Sequence, residues 1–288
     1  MKLVFIHGRD QQGKDHVALQ KVWEEALYVG LERAGLHKPT NMTVAFPFYG
    51  DELDRLVKQL DAPLVNDVTT KGAAPDDHEA AFRGQLLADM AKSAGVSDAE
   101  IAAAGNVTVQ EKGPLNWEWV QAILRALDKS PMGDPALDRF TRDVYVYLTY
   151  DAVSKKVDKI VSDLLDGQPC VIVAHSLGTI VAYRVLSALA GNVDVRGFVT
   201  LGSPLGLTTV RNHLTPPLVM PAGVKSWLNA FDPRDVVALQ PLDATTWNIK
   251  PPIENQGDVD NYTNNRHGIS GYLDDAKVAR WIASLLTT

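Results

Sequence analysis

The reading of this chain is decided by Cys170-Val-Ile-Val-Ala-His-Ser176-Leu-Gly-Thr-Ile-Val-Ala-Tyr183. Its opening residues, Cys170 to Ala174, form a short apolar, β-branched run of the kind that makes a strand buried on both faces. From Thr179 to Ala190 the apolar residues Ile180, Val181, Tyr183, Val185, Leu186 and Leu189 recur every three or four positions, which is a helical period, and Gly191 is placed to end it. Between the two stands Ala174-His-Ser176-Leu-Gly178, with a small residue two positions to either side of the serine. A strand that turns this sharply into a helix needs small flanking residues, because a larger side chain would collide with neighbouring backbone. Such a turn holds its central residue in a strained conformation and leaves the side chain accessible. A serine there presents its hydroxyl, while the next amide faces a developing oxyanion. The bland alternative is a tight strand-to-helix turn with no chemistry.

Working outward, short β-branched runs alternate with longer segments of helical period, the pattern of an α/β protein with a mostly parallel sheet and helices on both faces. Strands are expected at residues 3–6, Thr43 to Phe48, Cys170 to Ala174, Gly197 to Leu201 and Val224 to Phe231. Helices are expected from Val17 to Ala34, Val144 to Leu165, Thr179 to Ala190 and Asp274 to Leu286. After Gly50 the alternation lapses for roughly ninety residues, with helix-like segments near 79–94 and 116–129. Loop-forming residues flank it, Gly72 and Pro75 on one side and Pro131-Met-Gly-Asp-Pro135 on the other. The expected organisation is therefore a core of residues 1–50 and 141–288 with a helical insertion, 51–140, after the second strand. The insertion reads either as a cap over a pocket or as a helical extension of the core.

Composition narrows the function classes. The 288 residues are 45% hydrophobic and 22% charged, as in an ordinary globular protein large enough to bury a sizeable core. With 28 Lys plus Arg against 35 Asp plus Glu, the formal charge of -7 argues against a nucleic-acid partner. The one cysteine, Cys170, lies in an apolar run, so no intrachain disulfide can form, and it reads as a small core residue. The apolar stretch of Met1-Lys-Leu-Val-Phe-Ile-His7 is too short for a signal peptide and reads as a strand; no window has the apolar length of a membrane span. A cytoplasmic protein is the expectation.

A nucleophilic serine needs a base, and the base needs an acid to orient it. In a parallel α/β sheet both are expected on loops that follow later strands at the same edge. Asp232-Pro-Arg-Asp235-Val-Val-Ala238 follows the strand ending at Phe231, and His267 stands in a polar loop, Asn264-Asn-Arg-His-Gly268, before the last helix. The chain thus resembles the α/β-hydrolase superfamily, and within it the lipase- and esterase-like serine hydrolases with an Ala-His-Ser-x-Gly elbow. The resemblance covers most of the chain outside the insertion; the two strands that often precede the first one are missing here. It implies Ser176 as nucleophile, His267 as base, and Asp235 as acid, since the acid in relatives commonly precedes a pair such as Val236-Val237; Asp232 is the second choice. It also implies an oxyanion hole made by the backbone amides of Leu177 and of Arg9, the latter from His7-Gly8-Arg9 after the first strand. The guanidinium of Arg9 reads as an ion-pair partner or as a contact for an anionic substrate group.

The implied reaction is hydrolysis of a carboxylic ester on a small or lipid-like acyl substrate, through an acyl-enzyme and without a metal or organic cofactor. Amidase, peptidase or thioesterase activity would use the same triad. A non-catalytic hydrolase-like binding domain is a further alternative, and oligomeric state is open. Gly8-Arg-Asp-Gln-Gln-Gly13-Lys14 also spells most of a phosphate-binding loop, yet Asp15 stands where Ser or Thr should bring a hydroxyl to magnesium.

The remaining candidates have plain readings. His175 reads as a structural hydrogen-bonding residue rather than the base. His16, His37, His78 and His213 are scattered, without metal-site spacing. Asp258 and Asp260 make a poor calcium loop. Ser203 in Gly202-Ser-Pro-Leu-Gly206 is either a pocket residue or part of a turn, Tyr145 and Tyr147 are packing residues, and Trp247, Pro251 and Pro252 are candidates for shaping the substrate entrance.

Overall fold

The computed structural model describes residues 1–67, 77–127 and 134–286. Six strands form a single open sheet: β1 (Lys2–Ile6), β2 (Thr43–Ala45), β3 (Cys170–His175), β4 (Val195–Leu201), β5 (Trp227–Ala230) and β6 (Glu254–Gln256). Every pairing is parallel, in the order β2-β1-β3-β4-β5-β6. The chain is thus an α/β protein. Strand order reverses between β1 and β3, and in an open parallel sheet the crevice at such a switch point, beyond the carboxyl ends of the strands, is where ligands gather.

Burial follows the two-residue period of the strands. Val4, Ile6, Ile172, Ala174 and Phe198 face one cluster, shared with the helices between β2 and β3. Leu3, Phe5, Val171, Val173, Val199 and Leu201 face the other. The second cluster is closed by Trp23, Leu27 and Leu31 of α1 (His16–Arg33), by Tyr272 and Leu273 of the short terminal-side helix Ile269–Leu273, and by Val278 and Ile282 of the last helix. Each fully buried branched or aromatic side chain contributes about 1.5–3 kcal/mol by leaving water. The central strand β3, covered on both faces, is consequently well anchored where it delivers Ser176.

Between β2 and β3 the described residues are helical: α2 (Gly50–Asp67), α3 (Asp77–Ser93), α4 (Asp98–Gly105), α5 (Trp117–Leu127), α6 (Asp134–Thr149) and α7 (Asp151–Ser162). Leu53, Phe82, Leu86, Trp119, Ile123 and Phe140 from this stretch belong to the same apolar cluster as the sheet face they cover. The buried Arg83 ties α3 to α6 through Asp138 and Thr141, and Glu79 receives both Arg83 and Arg142. After β3 come α8 (Leu177–Ala188), α9 (Thr208–Asn212), α10 (Ile269–Leu273) and α11 (Ala276–Leu286).

Several boundaries differ from the sequence reading. The helix expected from Val144 to Leu165 is two helices, broken at Tyr150, which takes an extended conformation and caps α7 without a side-chain hydrogen bond. The second and fifth strands are shorter than expected, and Val224 contributes an isolated bridge to Val195. Helix α2, helix α4 and strand β6 were not anticipated. Gly72, Pro75 and Pro131 to Gly133, from the expected flanks of the insertion, lie outside the described residues. No helix among the described residues is long and apolar enough to cross a membrane.

Candidate active site

Ser176 sits where β3 becomes α8, with φ 55° and ψ −130°. That left-handed, sparsely populated backbone is strained for a residue with a Cβ and persists because its surroundings fix it. The Ser176 N–H donates to the Leu201 carbonyl at 3.1 Å, and its own carbonyl accepts from the Thr179 N–H and hydroxyl at 2.9 and 2.7 Å. Space enforces the sequence pattern. A Cβ at position 178 would stand 2.3 Å from the His7 carbonyl oxygen, and one at position 8 would stand 2.8 Å from the Ser176 Cβ. Glycine at 178 therefore lets the first turn of α8 lie directly on β1, and glycine at 8 lets the β1 loop close over the serine.

Three residues from three strand ends meet at this turn. The Ser176 hydroxyl lies 2.8 Å from His267 Nε2, and His267 Nδ1 lies 2.6 Å from Asp235 Oδ2. All three side chains are buried, Asp235 completely. With a carboxylate at Nδ1, that nitrogen carries the proton and Nε2 accepts from the serine hydroxyl. Asp235 also accepts at the same Oδ2 from the Tyr272 hydroxyl at 2.6 Å, and at Oδ1 from the Val237 N–H at 3.1 Å.

Asp232 is not part of this chain of contacts. Its Oδ1 accepts from the Arg234 N–H at 2.7 Å, and its Oδ2 from the Asn261 N–H at 2.7 Å. It anchors the loop that carries His267, a loop closed further by Asn261 Nδ2 donating to the Gly268 carbonyl and by the Gly268 N–H donating to Thr263 Oγ1. His175 serves the same loop: its Nε2 lies 2.7 Å from the His267 carbonyl oxygen, so that nitrogen holds the proton. Burial drives the His175 imidazole well below its ordinary range, and His267 and His7 nearby add to the effect, so it stays neutral.

The β1 loop is held by His7. Its Nε2 accepts from the Tyr49 N–H at 3.1 Å, and its Nδ1 donates to the Gly8 carbonyl at 2.6 Å. The ring stacks on Tyr49 at 4.1 Å, and the Tyr49 hydroxyl donates to the His7 carbonyl. Burial pushes the imidazole down to about 4, which fixes the neutral form with its proton on Nδ1. Because a trans peptide plane sets C=O and N–H on opposite sides, fixing the Gly8 carbonyl toward His7 aims the Arg9 N–H the other way. Among the described residues neither the Arg9 nor the Leu177 N–H has an acceptor. The Arg9 guanidinium is paired with Asp143 of α6 at 2.6 Å. Burial raises the Asp143 carboxyl, and Arg9 opposes that shift.

A cleft of about 300 Å³ opens at Ser176 and His267, walled by Trp23, Phe140 and Ile269 and by the polar Arg9, Gln11, Lys14 and Asn265. A larger one of about 570 Å³ lies among α3, α4 and α5, around Lys92, Ile101 and Trp119. Volume alone would select the larger; it holds no paired nucleophile and base, so chemistry selects the smaller.

The loop Gly8 to Lys14 gives its polar groups to carboxylates: the Gly13 N–H donates to Asp51 at 2.6 Å, and Asp15 caps α1 at Val17 and Ala18. Asp258 pairs with Lys277, and Asp260 with Arg234 and Arg266. No cluster that could hold a metal ion occurs among the described residues. His16, His37, His78 and His213 are exposed. Ser203 is buried beneath the site, accepting from the Leu205 N–H and meeting Thr179 Oγ1, so it belongs to a turn. Trp247 is a core residue packed against Trp227 and Tyr183, and neither it nor Pro251 and Pro252 lines the cleft. Cys170 is buried in β3, and burial pushes its thiol up to about 11. Tyr145 and Tyr147 are buried, the latter with its hydroxyl 2.5 Å from Asp158.

The sequence reading passed over Tyr49, Asp143, Asn261 and Tyr272. Only Tyr49 left a trace, as an aromatic after β2; the others act through contacts between residues far apart in the chain. The chain matches no family model, no curated protein and no solved structure.

Proposed function

We propose that this protein is a serine hydrolase with the α/β-hydrolase architecture, cleaving a carboxylic ester through an acyl-enzyme on Ser176, with residues 51–140 as a helical insertion that covers the cleft. The observation that carries the reading is the continuous relay of Ser176 Oγ, His267 and Asp235, at 2.8 and 2.6 Å, on a backbone strained at the serine alone among the three. A purely structural strand-to-helix turn has no use for a buried base aligned on its hydroxyl.

In the proposed reaction Ser176 Oγ attacks the ester carbonyl as its proton passes to His267 Nε2. Asp235 stabilises the imidazolium that forms. The amides of Leu177 and Arg9, which have no acceptor of their own among the described residues, receive the developing oxyanion. Collapse of the tetrahedral intermediate expels the alcohol, which takes the proton from His267. Water then enters by the same route, giving up its proton to His267 and releasing the acid. Nothing in this sequence of steps calls for a metal or an organic cofactor. Phosphate binding on the β1 loop is disfavoured by Asp15 and Asp51, which hold the amides an anion would need.

Labelling by a fluorophosphonate probe tests the reading directly. The parent protein should label at Ser176, and the Ser176→Ala variant should not. A folded parent that never labels would reduce the chain to a hydrolase-like binding domain. p-Nitrophenyl esters of increasing acyl length then report which substrates the cleft admits.

A further inference from the structure

We propose that Tyr272 is a fourth, positioning member of the relay, whose hydroxyl shares the Asp235 Oδ2 atom with His267 and so restrains the basicity that the carboxylate lends to the imidazole. The inference rests on the assignment of Ser176, His267 and Asp235 as a catalytic relay. Both hydrogen bonds to that oxygen are 2.6 Å long.

The phenol is fully buried and is a permanent donor: burial, then the charge of Asp235, push it well above its ordinary range. Its oxygen also accepts from the Asp232 N–H at 3.3 Å, which fixes the hydroxyl in line between the two ends of the acid turn. Tyr272 belongs to α10, which begins two residues after His267, so one short helix sets both the base and the donor that competes with it.

A carboxylate's pull on an imidazolium depends on how much of its charge is left unshared. A donor on the same oxygen takes part of that charge. With the hydroxyl removed, Asp235 stabilises protonated His267 more strongly, the base is lost to protonation at higher pH, and the acid limb of the rate profile moves up. The other groups facing the pair are His175 from the end of β3 and Asp232 with Arg234 from the loop after β5. Beyond them stand His7, Lys14 and the Arg9–Asp143 pair, from the β1 loop and α6. None of these is altered by Tyr272→Phe, which deletes one oxygen atom.

The experiment compares parent and Tyr272→Phe in two ways. The pH profile of kcat/KM on a p-nitrophenyl ester should show its acid limb shifted upward by roughly half a unit or more in the variant. NMR titration of the His267 ring should show its midpoint moving in the same direction. The ring titration needs no turnover, so it stands even if Ser176 proves unreactive toward the fluorophosphonate probe, and that failure would count against the hydrolase reading alone. A variant that loses activity with an unmoved limb and an unmoved ring titration would overturn the proposal and leave Tyr272 a packing residue. If the variant does not fold, the parent decides. A protected, downfield Tyr272 hydroxyl proton that shifts as His267 titrates is the expected result, and one indifferent to that titration refutes the sharing.

Discussion

At the scale of single residues, the site separates groups that do chemistry from groups that hold them. Ser176→Ala should lower ester hydrolysis by about four orders of magnitude, the loss typical of a triad nucleophile, measured as kcat/KM on a protein with an unchanged melting curve. The two aspartates should part company. Asp235→Asn presents an amide to His267 Nδ1 and should cost about 10³-fold or more in rate. Asp232→Asn should act chiefly on stability, since its carboxylate holds Arg234 and the Asn261 amide rather than the imidazole. Equal rate losses for the two variants would remove the distinction. In the sequence both aspartates stand after the same strand, and only the pair Val236-Val237 favoured the second. Tyr272 could not be found there, because its partner Asp235 is remote in the chain and a tyrosine before the last helix reads as packing.

At the scale of elements, strands whose residues alternate between two apolar clusters were legible, and so were helices with a clear three-to-four period. Strand β6 was not, because Glu254-Asn-Gln256 is short and polar and is a strand only through pairing with β5. The break at Tyr150 was hidden for the same kind of reason: residues on both sides are helix formers with apolar stripes, and the change of direction serves packing rather than local preference. The elbow itself makes a sharp prediction. Gly178→Ala places a methyl group 2.3 Å from the His7 carbonyl oxygen and 2.5 Å from that of Ile6, both backbone atoms of a buried strand and its loop. The variant should lose several kcal/mol of stability, on the order of an overpacked core, with a fall in melting temperature to match. A neutral outcome would mean that α8 can slide away from β1.

At the scale of the whole molecule, histidines buried without charge make folding sensitive to acid. His7, held down to about 4, and His175, also lowered by burial, are neutral when folded, whereas in the unfolded chain both take protons near their ordinary value of 6.5. The unfolded state therefore binds more protons as pH falls below about 6.5, and stability drops progressively down to the folded value; above about 6.5 these groups contribute no slope. For His7 the full loss is on the order of 3 kcal/mol. Buried carboxyls raised in the fold, such as Asp143 and Asp158, act with the opposite sign at lower pH. The direct check is NMR: the ring signals of His7 and His175 should keep their neutral positions from about pH 8 down to about 5.5 while denaturation midpoints fall. The backbone at Ser176 carries a separate message. With φ 55° and ψ −130° it occupies a region glycine enters freely, so Ser176→Gly should be more stable than Ser176→Ala by about 1 kcal/mol. A lineage with no need of the hydroxyl would be drawn toward glycine at this position by ordinary mutation, and a serine still standing there is the mark of selection for something other than folding.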